Sequence, residues 1–413
     1  MKEHSQNIEA RPRGRAPWLR RGLRRLFLGL LVLCTSALLV EGAARLAGEP
    51  PGVGLGADDP AALHLQVLVN GWGLLPSMGL LGDCAHYTEE ILDGRTPPGA
   101  DAEVEISPQG FRDTPLVMPK PAGQIRILLL GDSSVFGANI CRLDTLAELL
   151  EADLNAGAPE ALPDGQRAVE VINAGVPGYS SYQSLEVLDR ALVYGLDGVI
   201  VYSMISDWGE PLRIEDDLWF SRWAPVLRVL GHSAAVRWAH HLVTPVVVGA
   251  EPHDASGSGA PGAQRVHVLQ YMDNLRRMVS ETRAAGAWIA FVVPPIASDV
   301  ETGGLGGGRR FDYVVGSERE AAVLWDDLNA RVQDSTRRTS PVFGNEAYRA
   351  AMALVAWEGR HPVLDGPAVL RAAAASPDSL MLDTVHPAPA GNRALARELA
   401  PIIAGLLDGG AHD

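Results

Sequence analysis

The stretch Ile125–Gly137, IRILLLGDSSVFG, decides the fold. Ile125 to Leu130 is a short, mostly apolar run that stops abruptly at Gly131-Asp132-Ser133-Ser134. A run of this length, ended by a turn signal, reads as a strand buried on both faces, as in parallel sheets. Ligands of open α/β sheets bind just past the carboxyl ends of the strands. Ser133 therefore stands where chemistry is usually done. A serine after a strand is also a common helix cap, so a nucleophile here requires a base. Asp383-Thr384-Val385-His386-Pro387 supplies a candidate near the other end of the 413-residue chain.

Outward from this strand the pattern alternates. A helix is expected around Leu143 to Asn155, with Leu146, Leu149, Leu150 and Leu154 on one face. Strand two follows at Val169 to Asn173 and a helix at Ser181 to Tyr194. Strand three is Gly198 to Tyr202. Strand four, Trp288 to Val293, follows a helical stretch from Val266 to Ala285. A last helix covers about Ala390 to Leu407. Strands alternating with helices predict a central parallel sheet with helices on both faces. Asp207 to about Arg265 interrupts the rhythm at the carboxyl end of strand three and is a candidate lid. Its last part, Glu251 to Ala263, and a second stretch, Thr302 to Gly308, read as surface loops.

Charge is unevenly placed. Lys2 and seven arginines against Glu3 and Glu9 give the first 25 residues +6; the whole chain carries −15, so the remainder carries −21. An acidic main body excludes nucleic acid as the expected partner. Leu26 to Val40, LFLGLLVLCTSALLV, has no charge, and with Glu41 tolerated it extends to Ala44. Arginines on its N-terminal side predict that end in the cytoplasm. Read as an uncleaved anchor, it is a single transmembrane helix over 26–45 with the rest outside the cytoplasm, at a bacterial inner membrane facing the periplasm. Gly42-Ala43-Ala44 leaves open a cleaved signal and a secreted protein. Arg24-Arg25-Leu26-Phe27-Leu28 has the look of a twin-arginine signal, although arginines are scattered over the whole tail. Residues 46–122 then form a tether and N-terminal extension before a main domain at 123–408. Of the three cysteines, Cys34 lies in the apolar stretch, whereas Cys84 and Cys141 could pair in an oxidising compartment. No spacing suggests zinc, and no cofactor is expected.

A serine hydroxyl is a weak nucleophile until a neighbouring base takes its proton and a third group orients that base. Asp383 and His386, three apart in a short loop, allow the carboxylate to reach the imidazole. Two other stretches invite a chemical reading. Gly231-His232-Ser233-Ala234-Ala235 lacks the last glycine of a nucleophile elbow and has helical flanks; His240-His241 lies in the same helical stretch. Gly52, Gly54 and Gly56 follow no strand, so they make no dinucleotide site.

With these residues in view, the sequence resembles the SGNH (GDSL-type) hydrolase family, in particular membrane-anchored bacterial members, over about Ile106 to Leu407. Gly131-Asp132-Ser133 resembles the first block, Asn173-Ala174-Gly175-Val176-Pro177-Gly178 the second, and Asp383-Thr384-Val385-His386-Pro387 the last. The resemblance implies a flavodoxin-like three-layer α/β/α fold and a serine esterase. In that reading Ser133 attacks, His386 acts as base, Asp383 orients it, and the Ser133 and Gly175 amides bind the oxyanion. The third block departs from the family: Tyr202-Ser203-Met204-Ile205-Ser206-Asp207 puts Met204 for glycine and Ser206 for the asparagine donor. Removal of one oxyanion donor typically lowers turnover by ~10²–10³. Three readings follow: an esterase acting on O-acyl groups of envelope carbohydrate or lipid; an O-acyltransferase of the same fold; and a catalytically impaired glycan-binding or scaffold protein.

Overall fold

The computed structural model describes residues 32, 34–47, 107, 109–138, 140–156, 168–208, 235, 264–301, 313–333, 341–373 and 377–408. Five strands form one parallel sheet: β1 Ile125–Gly131, β2 Val169–Gly175, β3 Gly198–Tyr202, β4 Trp288–Val293 and β5 Val363–Asp365. Their order is β2-β1-β3-β4-β5. This doubly wound order reverses direction between β1 and β3, the switch point at which ligands bind. At the carboxyl end of β1, Gly131 lies level with Gly175 of β2 on one side and Tyr202 of β3 on the other. The loops leaving these three strands therefore emerge together on one rim.

Among the described residues from 107 onward, the α-helices are α1 Ser133–Phe136, α2 Leu146–Ala156, α3 Ser181–Ala191, α4 Ile205–Trp208, α5 Val268–Ala284 and α6 Ala297–Glu301. They continue with α7 Glu318–Gln333, α8 Pro341–Gly359, α9 Gly366–Ala372, α10 Pro377–Leu380 and α11 Pro389–Asp408. Alternation along the strands divides the core. Leu128 and Leu130 face one layer, with Leu185 of α3, Tyr271 of α5, Leu324 of α7 and Tyr348 of α8. Ile127 and Leu129 face the other, with Leu150 of α2, Leu370 of α9 and Leu395 of α11. Because both faces are covered, β1 is apolar on both sides from Ile127 to Leu130 rather than alternating, with Arg126 the one charged residue at its start. Each aliphatic side chain so buried contributes roughly 1.5–3 kcal/mol.

The expected strands and most of the expected helices are present; β5 and α7 to α9 have no counterpart in the sequence reading. Residues 107 and 109–118, expected to belong to an extension, pack onto the sheet. Phe111 is buried in the α3-side core, edge-on to Tyr194 at 5.7 Å. The Arg112 N–H bonds Asn173 O at 3.2 Å, so this segment lines the end of the edge strand β2.

Residues 34–46 are helical, and Glu41 there is paired with Arg45 at 2.7 Å. No helix among the described residues is long and apolar enough to cross a membrane. Residues 26–31 and 33 of the expected anchor lie outside them, as do most of the 207–265 insertion, the Gly231 to Ser233 stretch, His240-His241 and Thr302 to Gly308. Cys141 is disulfide-bonded and Cys34 is free; Cys84 is outside the described residues.

Candidate active site

The chain leaves β1 and turns directly into α1, a single helical turn that begins at Ser133. Asp132 caps it: its carboxylate accepts the Ser134 N–H at 3.0 Å. The helix stops at Gly137, whose φ is +81° and whose N–H closes on Ser133 O at 2.9 Å. Ser133 is thus fixed at the switch point.

Asp383 and His386 come from the turn between α10 and α11. The turn is closed by the Met381–Pro387 bridge and by the Leu382 N–H on His386 O at 2.8 Å. Two contacts hold it against α1 and α6. The Ser134 hydroxyl donates to Val385 O at 3.1 Å, and the Ala297 N–H donates to Thr384 O at 2.9 Å. Within the turn, one Asp383 oxygen accepts the N–H groups of Val385 and His386 at 2.8 and 2.9 Å. The other lies 2.6 Å from His386 Nδ1. His386 Nε2 lies 2.7 Å from Ser133 Oγ. A carboxylate only accepts, so Nδ1 carries the proton and Nε2 is free to accept from the serine hydroxyl. The three residues brought together are Ser133, His386 and Asp383, the last two from one turn and the first 253 positions from His386.

The electrostatics follow from this chain of contacts. Burial pulls the His386 pKa down, but the hydrogen bond and charge of Asp383 outweigh it, and the net shift is upward. For Asp383 burial pushes up, while the hydrogen bond and charge of His386 and two backbone amides prevail, and its pKa is lowered. Its carboxylate is about half exposed, so water screens part of this attraction. Asp132 is fully buried, and burial holds its pKa above the ordinary carboxylate value against the amides of Ser134 and Ser206 and the charge of His386.

The expected oxyanion donors fare unevenly. Ser133 opens α1, and its N–H has no acceptor among the described residues. The Gly175 N–H, expected to be the second donor, instead bonds Asn173 Oδ1 at 3.1 Å. Asn173 folds back on its own backbone two residues on, a habit of asparagine at turns, while its amide donates to Val135 O at 3.0 Å. Gly175 has a packing role: a Cβ there would sit 2.1 Å from the Phe136 nitrogen, so only glycine lets β2 approach α1 this closely. The unengaged amide of the loop is that of Gly178, at φ +74°, which makes no hydrogen bond among the described residues. Its carbonyl is held by Arg265 Nη1 at 2.5 Å. The second glycine of Asn173-Ala174-Gly175-Val176-Pro177-Gly178 was the available signal.

Ser206 lies in α4, with its backbone amide toward the Asp132 carboxylate. Its hydroxyl makes no hydrogen bond among the described residues. The adjacent Asp207 is buried and accepts the Ser181 N–H and hydroxyl at 2.9 and 2.5 Å. That contact ties the β3 rim to the start of α3.

No family model and no curated protein matches this chain. Solved structures with some likeness include a lipase/acylhydrolase from Enterococcus faecalis: 16% identity, 68% of this chain, 96% of that one, TM-score 0.38. Another is Axe2, an acetylxylan esterase from Geobacillus stearothermophilus: 18% identity, 68% of this chain, 95% of that one, TM-score 0.37. A protein assigned to the G-D-S-L lipolytic family, from Desulfitobacterium hafniense DCB-2, has 12% identity over 68% of this chain and 99% of its own, TM-score 0.37. At these identities and scores the likeness carries no weight for substrate or mechanism.

Proposed function

We propose that the chain is a serine hydrolase that cleaves carboxylic esters through an acyl-enzyme. The observation that carries this reading is the unbroken relay from Asp383 Oδ2 through His386 to Ser133 Oγ, with steps of 2.6 and 2.7 Å. His386 takes the hydroxyl proton as Ser133 attacks the ester carbonyl, and returns it to the departing alcohol. Asp383 holds the imidazole in its tautomer and offsets the charge it gains. In this reading the oxyanion is met by the amides of Ser133 and Gly178, with the Ser206 hydroxyl as the third donor. A water then repeats the cycle on the acyl-enzyme.

The substrate class we assign is O-acyl groups of envelope carbohydrate or lipid, met outside the cytoplasm. Support comes from the basic tail and apolar 26–45 segment, read as an export signal or anchor, and from the disulfide-bonded state of Cys141. Disulfides persist in oxidising compartments.

The test is direct. Wild-type protein should hydrolyse a short-chain aryl ester and take up a fluorophosphonate at Ser133, located by peptide mass spectrometry. Ser133→Ala should lower turnover by ~10⁴-fold or more with the thermal midpoint unchanged. Undiminished hydrolysis by Ser133→Ala refutes the assignment.

A further inference from the structure

A four-residue helix cannot satisfy its own backbone. Its terminal N–H and C=O groups have no partners within the helix, so α1 depends on outside groups for its orientation. Asp132 supplies them at the start. At the end they come from Arg112, a residue outside the main domain as the sequence delimits it.

Arg112 is almost completely buried. One guanidinium nitrogen, Nη1, donates to Phe136 O at 2.6 Å and also to Gly137 O. Nη2 donates to Ile140 O at 2.6 Å. The guanidinium carbon lies 4.6 Å from the Phe136 ring centre, within cation–π range. All of these contacts lie on the last residue of α1 and the loop that follows it. Arg112 has no carboxylate partner among the described residues, so its charge is balanced by carbonyl dipoles at the C-terminal end of α1. Burial, with Arg142 nearby, lowers its pKa to about 10, which leaves it charged at neutral pH.

The arginine is delivered by a preformed turn. Ser107 N–H bonds Phe111 O at 2.8 Å, and the Ser107 hydroxyl accepts the Phe111 N–H at 3.2 Å. On the other flank, the Asp113 carboxylate accepts the Asn173 N–H at 3.3 Å. Asn173 in turn donates to Val135 O. The 107–113 segment, the end of β2 and α1 are thereby one hydrogen-bonded unit.

We propose that Arg112 is a positioning residue for the nucleophile: by gripping the carbonyls at the end of α1 it sets the direction in which Ser133 Oγ faces His386. The proposal rests on the reading of Ser133 as the nucleophile. Displacing a reacting group by about 1 Å can cost ~10²-fold in rate, and lysine cannot reach three carbonyls in a fork.

The experiment uses the full-length chain and four forms: wild type, Ser133→Ala, Arg112→Lys and Arg126→Lys. Arg126 is an equally buried arginine at the opposite end of β1. For Arg112→Lys, kcat on an aryl ester should fall by roughly 10- to 100-fold. KM should stay within about twofold, and fluorophosphonate labelling of Ser133 should slow by the same factor as kcat. Arg126→Lys should lower the thermal midpoint while kcat per folded molecule stays at the wild-type value. Arg112→Lys with wild-type kcat and labelling rate, or with a loss no larger than that of Arg126→Lys, overturns the proposal. If lysine is not accommodated, Arg112→Gln carries the same test: its neutral amide stops about two bonds short of the guanidinium nitrogens that hold the carbonyls, so kcat should fall by roughly 10-fold or more, and a wild-type kcat overturns the proposal. Activity in Ser133→Ala would instead overturn the functional reading itself, so the two failures are distinct.

Discussion

The two ends of the sheet treat polar groups in opposite ways. At the N-terminal end Arg126 is fully buried, and each guanidinium nitrogen has an acceptor. Nε is paired with Glu170, Nη1 reaches Tyr194 O at 2.8 Å, and Nη2 reaches Val117 O and Gln124 Oε1 at 3.1 and 3.2 Å. The Asp197 carboxylate accepts the Arg126 N–H and the Lys120 ammonium, both at 2.6 Å. At the C-terminal end, Arg112 has an Nε without an acceptor, and the amides of Ser133 and Gly178 are unengaged among the described residues. Asp383 is half open to water. Buried polar groups are ordinarily paired, and those left unpaired call for an explanation. Here one end of the fold is closed by its own residues, whereas the other keeps donors unengaged, which the proposed function assigns to the charge that develops during reaction.

The largest effect expected at the open end, apart from loss of Ser133 itself, is that of Asp383→Asn. It should lower kcat by ~10⁴-fold, because the amide no longer fixes the imidazole tautomer. The pH profile gives a second reading. In the proposed mechanism activity needs neutral His386, so it should fall as pH drops through the His386 pKa. That pKa is held up by Asp383, which places the acid limb above about 6.5, the ordinary histidine value. Without the carboxylate charge the limb should move to lower pH. An acid limb that stays in place in Asp383→Asn would mean that the pair does not set the protonation of the base.

At the closed end the same kind of change should act on stability alone. Arg126→Lys leaves buried carbonyl acceptors without donors and should lower the unfolding free energy by about 1–3 kcal/mol. Chemical denaturation would measure it. A fall in kcat per folded molecule would break the contrast between the two ends.

That contrast was only partly legible in the sequence. β3 and β4 declare themselves because strands covered on both faces are continuous apolar runs, and β1 and β2 because their apolar runs are interrupted near the start only by Arg126 and Glu170. Ser133 and the Asp383-x-x-His386 turn declare themselves because each breaks a regular pattern with residues that have a chemical use. β5 has three residues, too few for a period. α8 is buried around much of its circumference, from Ala350 to Ala356, so it lacks the apolar stripe that marks a surface helix. Two features of the site depend on side-chain conformation and leave no periodic trace. The fold-back of Asn173 decides that Gly178, not Gly175, has the unengaged amide. The reach of Arg112 from a segment that reads as a tether decides how α1 is held.

The smallest expected effect concerns an exception at the closed end. His361 follows α8 and precedes β5, with its ring 6.0 Å from that of Phe291. Its Nε2 is buried with no partner among the described residues. Burial, with Arg283 nearby, lowers its pKa to about 4, against about 6.5 in an unfolded chain. Between these values the unfolded chain binds a proton that the folded one does not. Stability then rises with pH through this window and is lost as pH falls from about 6.5 toward 4. Below about 4 both states are protonated and this group adds no further slope. In His361→Gln the side chain cannot titrate, so its stability should fall less steeply than wild type between pH 6.5 and 4.5, while the two slopes agree above pH 7. Parallel curves through the whole range would mean that the imidazole is solvated in the folded protein, and that the base of the sheet is more open than its other contacts indicate.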